Sequence, residues 1–189
     1  MMNKLFTQII LILILVSSDI FPVQAKVQPS PVNQDSSVSW SKVTDDPFEG
    51  KIVYDKDFDG FGSAAIVSSW SKQGIRLSYF WQEKKVDYYR QVQKTRTVKR
   101  NNRNEEETYW ESEPVYKTVS HSKNPESIML SINGQVYTYE GGVISEELAS
   151  VLANAPAKNV KIRISWSDGS TTDSTIGSGT VKAWKQIYQ

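Results

Sequence analysis

The chain has 189 residues, enough for one domain with a real core. Lys and Arg number 22 against 21 Asp and Glu, so the charge balance gives no reason to expect nucleic acid as a partner. There is no cysteine and one histidine, His121, which excludes disulfides, thiolate chemistry, cysteine lipidation and any Cys/His zinc set.

The first 25 residues read as a secretory signal. Lys4 supplies the positive start, and the apolar run extends from Leu5 through Ile9 to Val16. Val23 and Ala25 occupy the −3 and −1 positions of a small-residue cleavage site. The apolar core is about a dozen residues, short of the roughly 20 that a bilayer span needs. The expectation is cleavage near Ala25, a secreted or periplasmic product and no permanent membrane anchor. The lack of cysteine and of any N-x-[ST] sequon favours a bacterial export route.

Residues 26–38, "KVQPSPVNQDSSV", carry prolines and serines with no apolar period, the composition of a flexible linker. Residues 39–189 are expected to form a single domain. "SWSKVTDDPFEGKIVYDKDFDGFG" holds short extended pieces broken by Pro47, Gly50 and Gly60. "SAAIVSSW" fits a strand or a short helix, because an apolar run alone does not decide. In "GIRLSYFWQ", Ile75, Leu77, Tyr79 and Trp81 alternate with Arg76, Ser78, Phe80 and Gln82, which predicts a strand with one face buried.

A charge-patterned stretch follows. Arg90, Lys94, Arg96, Lys99, Arg100 and Arg103 are succeeded by Glu105, Glu106, Glu107, Glu111 and Glu113. A hairpin centred between Asn102 and Arg103 would set Arg100 opposite Glu105, Lys99 opposite Glu106 and Lys94 opposite Glu111, a register device based on opposite charges. Each strand would far exceed the usual five or six residues, so the hairpin, about residues 86–119, should project as an arm. Asn133-Gly134 predicts a second, tight hairpin with Leu130 facing Tyr137 and Ile128 facing Tyr139.

"ISEELASVLANAP" predicts a helix capped by Ser145 and stopped by Pro156. "NVKIRISWSDGSTTDSTIG" predicts two strands around Asp168-Gly169, and Thr180 is the expected cap of a last helix with Val181, Trp184, Ile187 and Tyr188 inward. The fold class is therefore α+β, mainly antiparallel sheet with a projecting hairpin and two short helices near the C-terminus. The six tryptophans are spread along the chain and read as core and sheet-face residues. The tail from "ISEELASVLANAP" onward and the pair "TRTVKR…YWESEPVYKTV" resemble parts of small uncharacterised exported bacterial proteins, some cyanobacterial, over about Val86–Tyr188. The resemblance implies export and one compact domain. It brings no activity and no site residues.

Specific chemistry is suggested by one stretch, "DKDFDGFGSA". Asp55, Asp57, Asp59, Gly60 and Phe61 match the start of an EF-hand loop, but the twelfth position is Ile66, which cannot coordinate calcium. What remains is an acidic turn or a weak calcium loop borrowing a ligand from Asp45, Asp46 or Glu49. The basic residues Lys94, Arg96, Lys99, Arg100 and Arg103 are the candidate contacts for a protein or an acidic cell-envelope polymer, or are balanced by their own acids. His121 sits in "SHSKNP" with no nucleophile-elbow sequence nearby, so catalysis is not expected. The leading reading is an exported non-catalytic interaction module with no cofactor. The alternative is a calcium-assisted module for a cell-surface glycan.

Overall fold

The computed structural model describes residues 26–58 and 64–189. The expected signal segment and Asp59, with the four residues after it, lie outside the described residues.

Two antiparallel sheets and two helices make up the domain. The first sheet keeps chain order: β1 (Val43–Asp46), β2 (Gly50–Phe58), β3 (Ala64–Ser71), β4 (Gly74–Arg100) and β5 (Arg103–Lys123). The ambiguous apolar run is thus a strand. The second sheet contains β6 (Ser127–Ile132), β7 (Gln135–Tyr139), β8 (Val160–Ser165) and β9 (Thr171–Ile176), in the order β7-β6-β8-β9. Helix α1 (Glu146–Ala153) connects β7 to β8, and α2 (Ser178–Tyr188) follows β9.

Local rules account for most of these elements. Asn133 and Gly134 have φ of 52° and 81°, as a type I′ turn requires, and Leu130 faces Tyr137 with Ile128 facing Tyr139. The Ser145 hydroxyl accepts from the Leu148 amide at 3.2 Å and starts α1. Helix α2 differs from expectation. Gly177 is its N-cap, and Thr180 lies inside the first turn with its hydroxyl committed to the Asp55 carboxylate.

One contiguous core joins everything. Period-two alternation puts Ile75, Leu77 and Tyr79 of β4 on the same face as Ile66 and Trp70 of β3 and Val53 of β2. Against that face come Ile128, Leu130, Ile162 and Ile164 of the second sheet and Leu152, Val181 and Trp184 of the helices. Aromatic contacts bridge the layers: Trp70 to Trp184 at 4.7 Å between ring centres, and Tyr79 to Trp166 at 5.9 Å. The Ile75 amide donates to the Tyr139 hydroxyl at 3.0 Å, tying the sheets together at their other end.

Residues 26–38, expected as a linker, are instead laid on the first sheet as a strap. Val27 is buried in the core, and Gln28 pairs with Arg76. The Ser30 amide donates to Ser78 Oγ at 3.0 Å, and Lys56 Nζ donates to the Gln34 carbonyl at 2.9 Å. Trp40 then pairs beside Tyr54. The strap explains why Ala65, Val67 and Ser69, which point away from the core, are as buried as the residues that point into it. Composition missed this because the strap holds on through backbone groups and a few side chains, with no periodic apolar face.

Trp184 is wholly buried, but its indole N–H has no acceptor. Trp184→Ala should therefore cost about 3–5 kcal/mol in denaturant unfolding through loss of packing. Trp184→Phe should recover most of that loss, because its ring refills much of the space and brings no donor that lacks an acceptor.

Candidate functional site

Strand β2 carries Asp55 and Asp57 on its core-facing side, two residues apart. Asp55 is almost fully buried. Its carboxylate accepts from the Thr180 hydroxyl, and Thr180 Oγ1 lies 3.0 Å from Ser41 Oγ. Ser41 itself is held at φ 56°, and Gly179 allows the helix to approach it: a Cβ there would sit 2.9 Å from the Ser41 Cβ. Burial pushes the Asp55 carboxyl up to about 6; the hydrogen bond from Thr180 and that from the Gly177 amide oppose the shift, and Asp57 adds to it. Asp57 Oδ2 accepts from the Ser174 hydroxyl at 2.7 Å and the Thr175 amide at 3.3 Å. The two acids thus clasp β2 to α2 and to β9. Asp59, the third acid of the expected loop, lies outside the described residues.

The expected donors of a borrowed ligand are elsewhere. Asp46 Oδ1 accepts from the Phe48 and Glu49 amides, and Glu49 is 2.8 Å from Arg76. They sit where β2 begins, about 25 Å along the strand from Phe58 at its end. Among the described residues, no group of three His, Asp or Glu side chains converges as a metal site.

Among the described residues the last β3–β4 pair is Ala64–Trp81, and β4 and β5 stay paired far beyond it. From the Gln82–Ser120 pair to the Arg100–Arg103 pair they form a ribbon roughly 60 Å long. The turn is one residue earlier than the charges suggested. Asn101 and Asn102 are its two central residues, with φ of 48° and 65°. Asn tolerates that region, and the type I′ geometry outweighs the few tenths of a kcal/mol in each charge pair. Arg100 therefore faces Arg103, and Arg96 faces Glu107. That turn is out of step by one residue with the pairing at the base, where Tyr79 faces Lys123. A bulge between Val86 and Tyr88 absorbs the difference.

The ribbon has two unlike faces. One carries Arg90, Val92, Lys94, Arg96, Val98 and Arg100 with Glu105, Glu107, Tyr109, Glu111, Glu113 and Val115. Its charges pair: Lys94 Nζ lies 2.8 Å from both Glu111 and Glu113, Arg96 lies 3.0 Å from Glu107, Arg90 3.5 Å from Glu113 and Arg100 3.7 Å from Glu107. The Lys94 ammonium is held above its usual range by hydrogen bonds to the two glutamates, and Glu113 is held below its own, chiefly by Lys94. Val92, Val98 and Val115 are half-buried among them. Of the five candidate basic residues, Lys94, Arg96 and Arg100 join this ladder. Arg103 caps its tip, and Lys99 points from the opposite face.

That opposite face holds Val86, Tyr89, Gln91, Gln93 and Thr95 on β4 and Thr108, Trp110, Ser112, Pro114 and Tyr116 on β5. All ten are exposed, Tyr89 to 64%, Trp110 to 67% and Tyr116 to 58%. Trp110 is thus a sheet-face residue, as expected of the scattered tryptophans, on a face that lies open. The signal was recoverable once the turn was fixed at Asn101-Asn102, because alternation then assigns every residue of the arm to a face. His121 stacks on Trp81 at the arm's base, 5.1 Å between ring centres, with Nε2 3.3 Å from Glu83.

Comparison of the chain with family models, curated proteins and solved structures found no match. Among the described residues, no helix is long and apolar enough to cross a membrane.

Two outcomes follow from these charges. Asp55 titrates higher in the fold than its ordinary 3.8, so its stabilising contribution is full below about 3.8 and is lost as pH rises through about 6, up to ~3 kcal/mol in all. In thermal melts from pH 4 to 7, Asp55→Asn should remove this slope, and wild type should gain on the variant as pH falls. Lys94→Ala should raise amide exchange along residues 90–98 and 107–113 and leave β2 and β3 unchanged.

Proposed function

We propose that the chain is an exported, non-catalytic interaction module that engages its partner through the arm. The observation that carries this reading is the ribbon itself. A two-stranded hairpin is marginal in water on its own, and this one extends far past the last residue it shares with the core. Folding the domain does not require that length. Reaching another molecule does.

Other features support the reading. Six of the ten large apolar side chains left exposed among the described residues, Val86, Tyr88, Tyr89, Tyr109, Trp110 and Tyr116, lie on the arm. Export rests on the signal pattern of residues 1–25 and on the resemblance of residues 86–188 to small exported proteins. The absence of catalysis rests on the single histidine being stacked on a tryptophan and on the lack of a nucleophile motif. Calcium-assisted binding is the weaker reading, because an oxygen of Asp55 and one of Asp57 are already engaged by Thr180, Ser174 and Thr175.

The test shortens the arm. Replacing residues 91–112 with Asn-Gly closes the ribbon at the Arg90–Glu113 pair. The shortened chain should melt within a few degrees of the full one and lose the partners that residues 26–189 capture from a cell-envelope extract. An unchanged set of partners rejects the reading.

A further inference from the structure

We infer that the face of the arm bearing Tyr89, Trp110 and Tyr116 binds an uncharged polysaccharide chain. This rests on the arm being the binding element and names what it takes.

Three observations converge. The first is the division of labour between the two faces. On the charged face, lysine and arginine are met by glutamates at 2.8–3.7 Å, so a charged partner would have to displace pairs already made. On the other face no charged side chain occurs from Tyr89 to Thr95 or from Thr108 to Tyr116 among residues pointing that way. Asp87, in the bulge, is taken by Lys117 at 2.7 Å.

The second is the chemistry of that neutral face. Flat aromatic rings suit the C–H faces of sugar rings. Gln91, Gln93, Ser112, Thr95 and Thr108 lie between and beside the aromatics and offer both donors and acceptors to hydroxyl groups. Tyr116 lies opposite Val86, Tyr89 opposite Pro114 and Trp110 opposite Gln93. Along the ribbon the three rings are spaced by about 7 and then about 13 Å, a linear track.

The third is shape. From Val86 to Thr95 the track is about 30 Å long and two strands wide, a few hundred Å². A stable protein interface needs about 800 Å² from each partner, so a second copy of the chain, arm face to arm face, falls short. A narrow, flat and neutral track matches a single polymer strand.

Residues 26–189 should migrate more slowly in native gels cast with hydroxyethylcellulose, galactomannan or mixed-linkage β-glucan than in plain gels, and the delay should persist in about 0.5 M salt, where exposed charges are screened. Trp110→Ala and Tyr89→Ala should each weaken the apparent affinity at least about tenfold. Trp110→Tyr should keep most of it, and Glu105→Gln, on the charged face and outside its ion pairs, should leave it unchanged. Amide exchange on the Trp110→Ala chain checks that the arm is still formed. The inference is overturned if none of the three polymers delays the chain, if Trp110→Ala and Tyr89→Ala bind as wild type does, or if only acidic alginate delays it and salt abolishes the delay. The wider reading fails separately. If shortening the arm removes the envelope partners but the two aromatic variants keep them, the arm binds and the polysaccharide assignment is wrong. If the shortened chain keeps them too, both are wrong.

Discussion

A carboxylate buried in the core organises the domain. Asp55 lies on β2, Thr180 on α2 and Ser41 in the turn that leads from the strap into β1, and the three are joined by hydrogen bonds. The sheet, the last helix and the N-terminal segment thus meet at one polar point inside apolar surroundings. Such a group is costly to bury and still more costly to leave unpaired. The fold accepts the cost of a raised Asp55 pKa, and the arrangement admits few alternative packings. Two residues on, Asp57 makes the same kind of attachment to β9. With no cysteine available for a covalent tie, these clasps and the Trp70–Trp184 contact hold the layers in place.

Much of the fold was legible because it rests on local rules. Asn133-Gly134 set one register, Ser145 capped one helix, and the alternation from Ile75 to Trp81 identified the buried face of β4. Long-range polar choices were not legible. Thr180 has the right spacing for a cap, and nothing near it in sequence announces that Asp55, 125 residues away, will take its hydroxyl. The strap has no apolar period, since its attachment is mostly through backbone groups and hydroxyls. Charge pairing alone puts the hairpin turn one residue too late, because the left-handed conformation that two asparagines accept decides it.

The acidic stretch shows the same limit on the side of function. Asp55 and Asp57 look alike in sequence and are spaced as ligands would be. In the fold, each faces inward and finds a different protein donor. The arm gives the converse lesson. Its charges drew attention in the sequence, whereas in three dimensions they largely answer one another, and the uncharged side chains between them form the open surface.

The bulge at Asp87 has an effect out of proportion to its size. The basic residues of β4 that join the ladder are even-numbered, and the acids of β5 that meet them are odd-numbered. In the outer ribbon, paired residues sum to an odd number and share a face; at the base the sum is even. The inserted residue acts as a phase shifter between two periodic lattices. One is locked to the core and the other to the Asn-Asn turn. If β4 instead ran regularly through Asp87, keeping the base register with no bulge, every β4 side chain beyond it would turn over. Arginines and lysines would then stand beside Trp110, the glutamates would face glutamines and threonines, and both surfaces of the arm would lose their character through the straightening of one bulge.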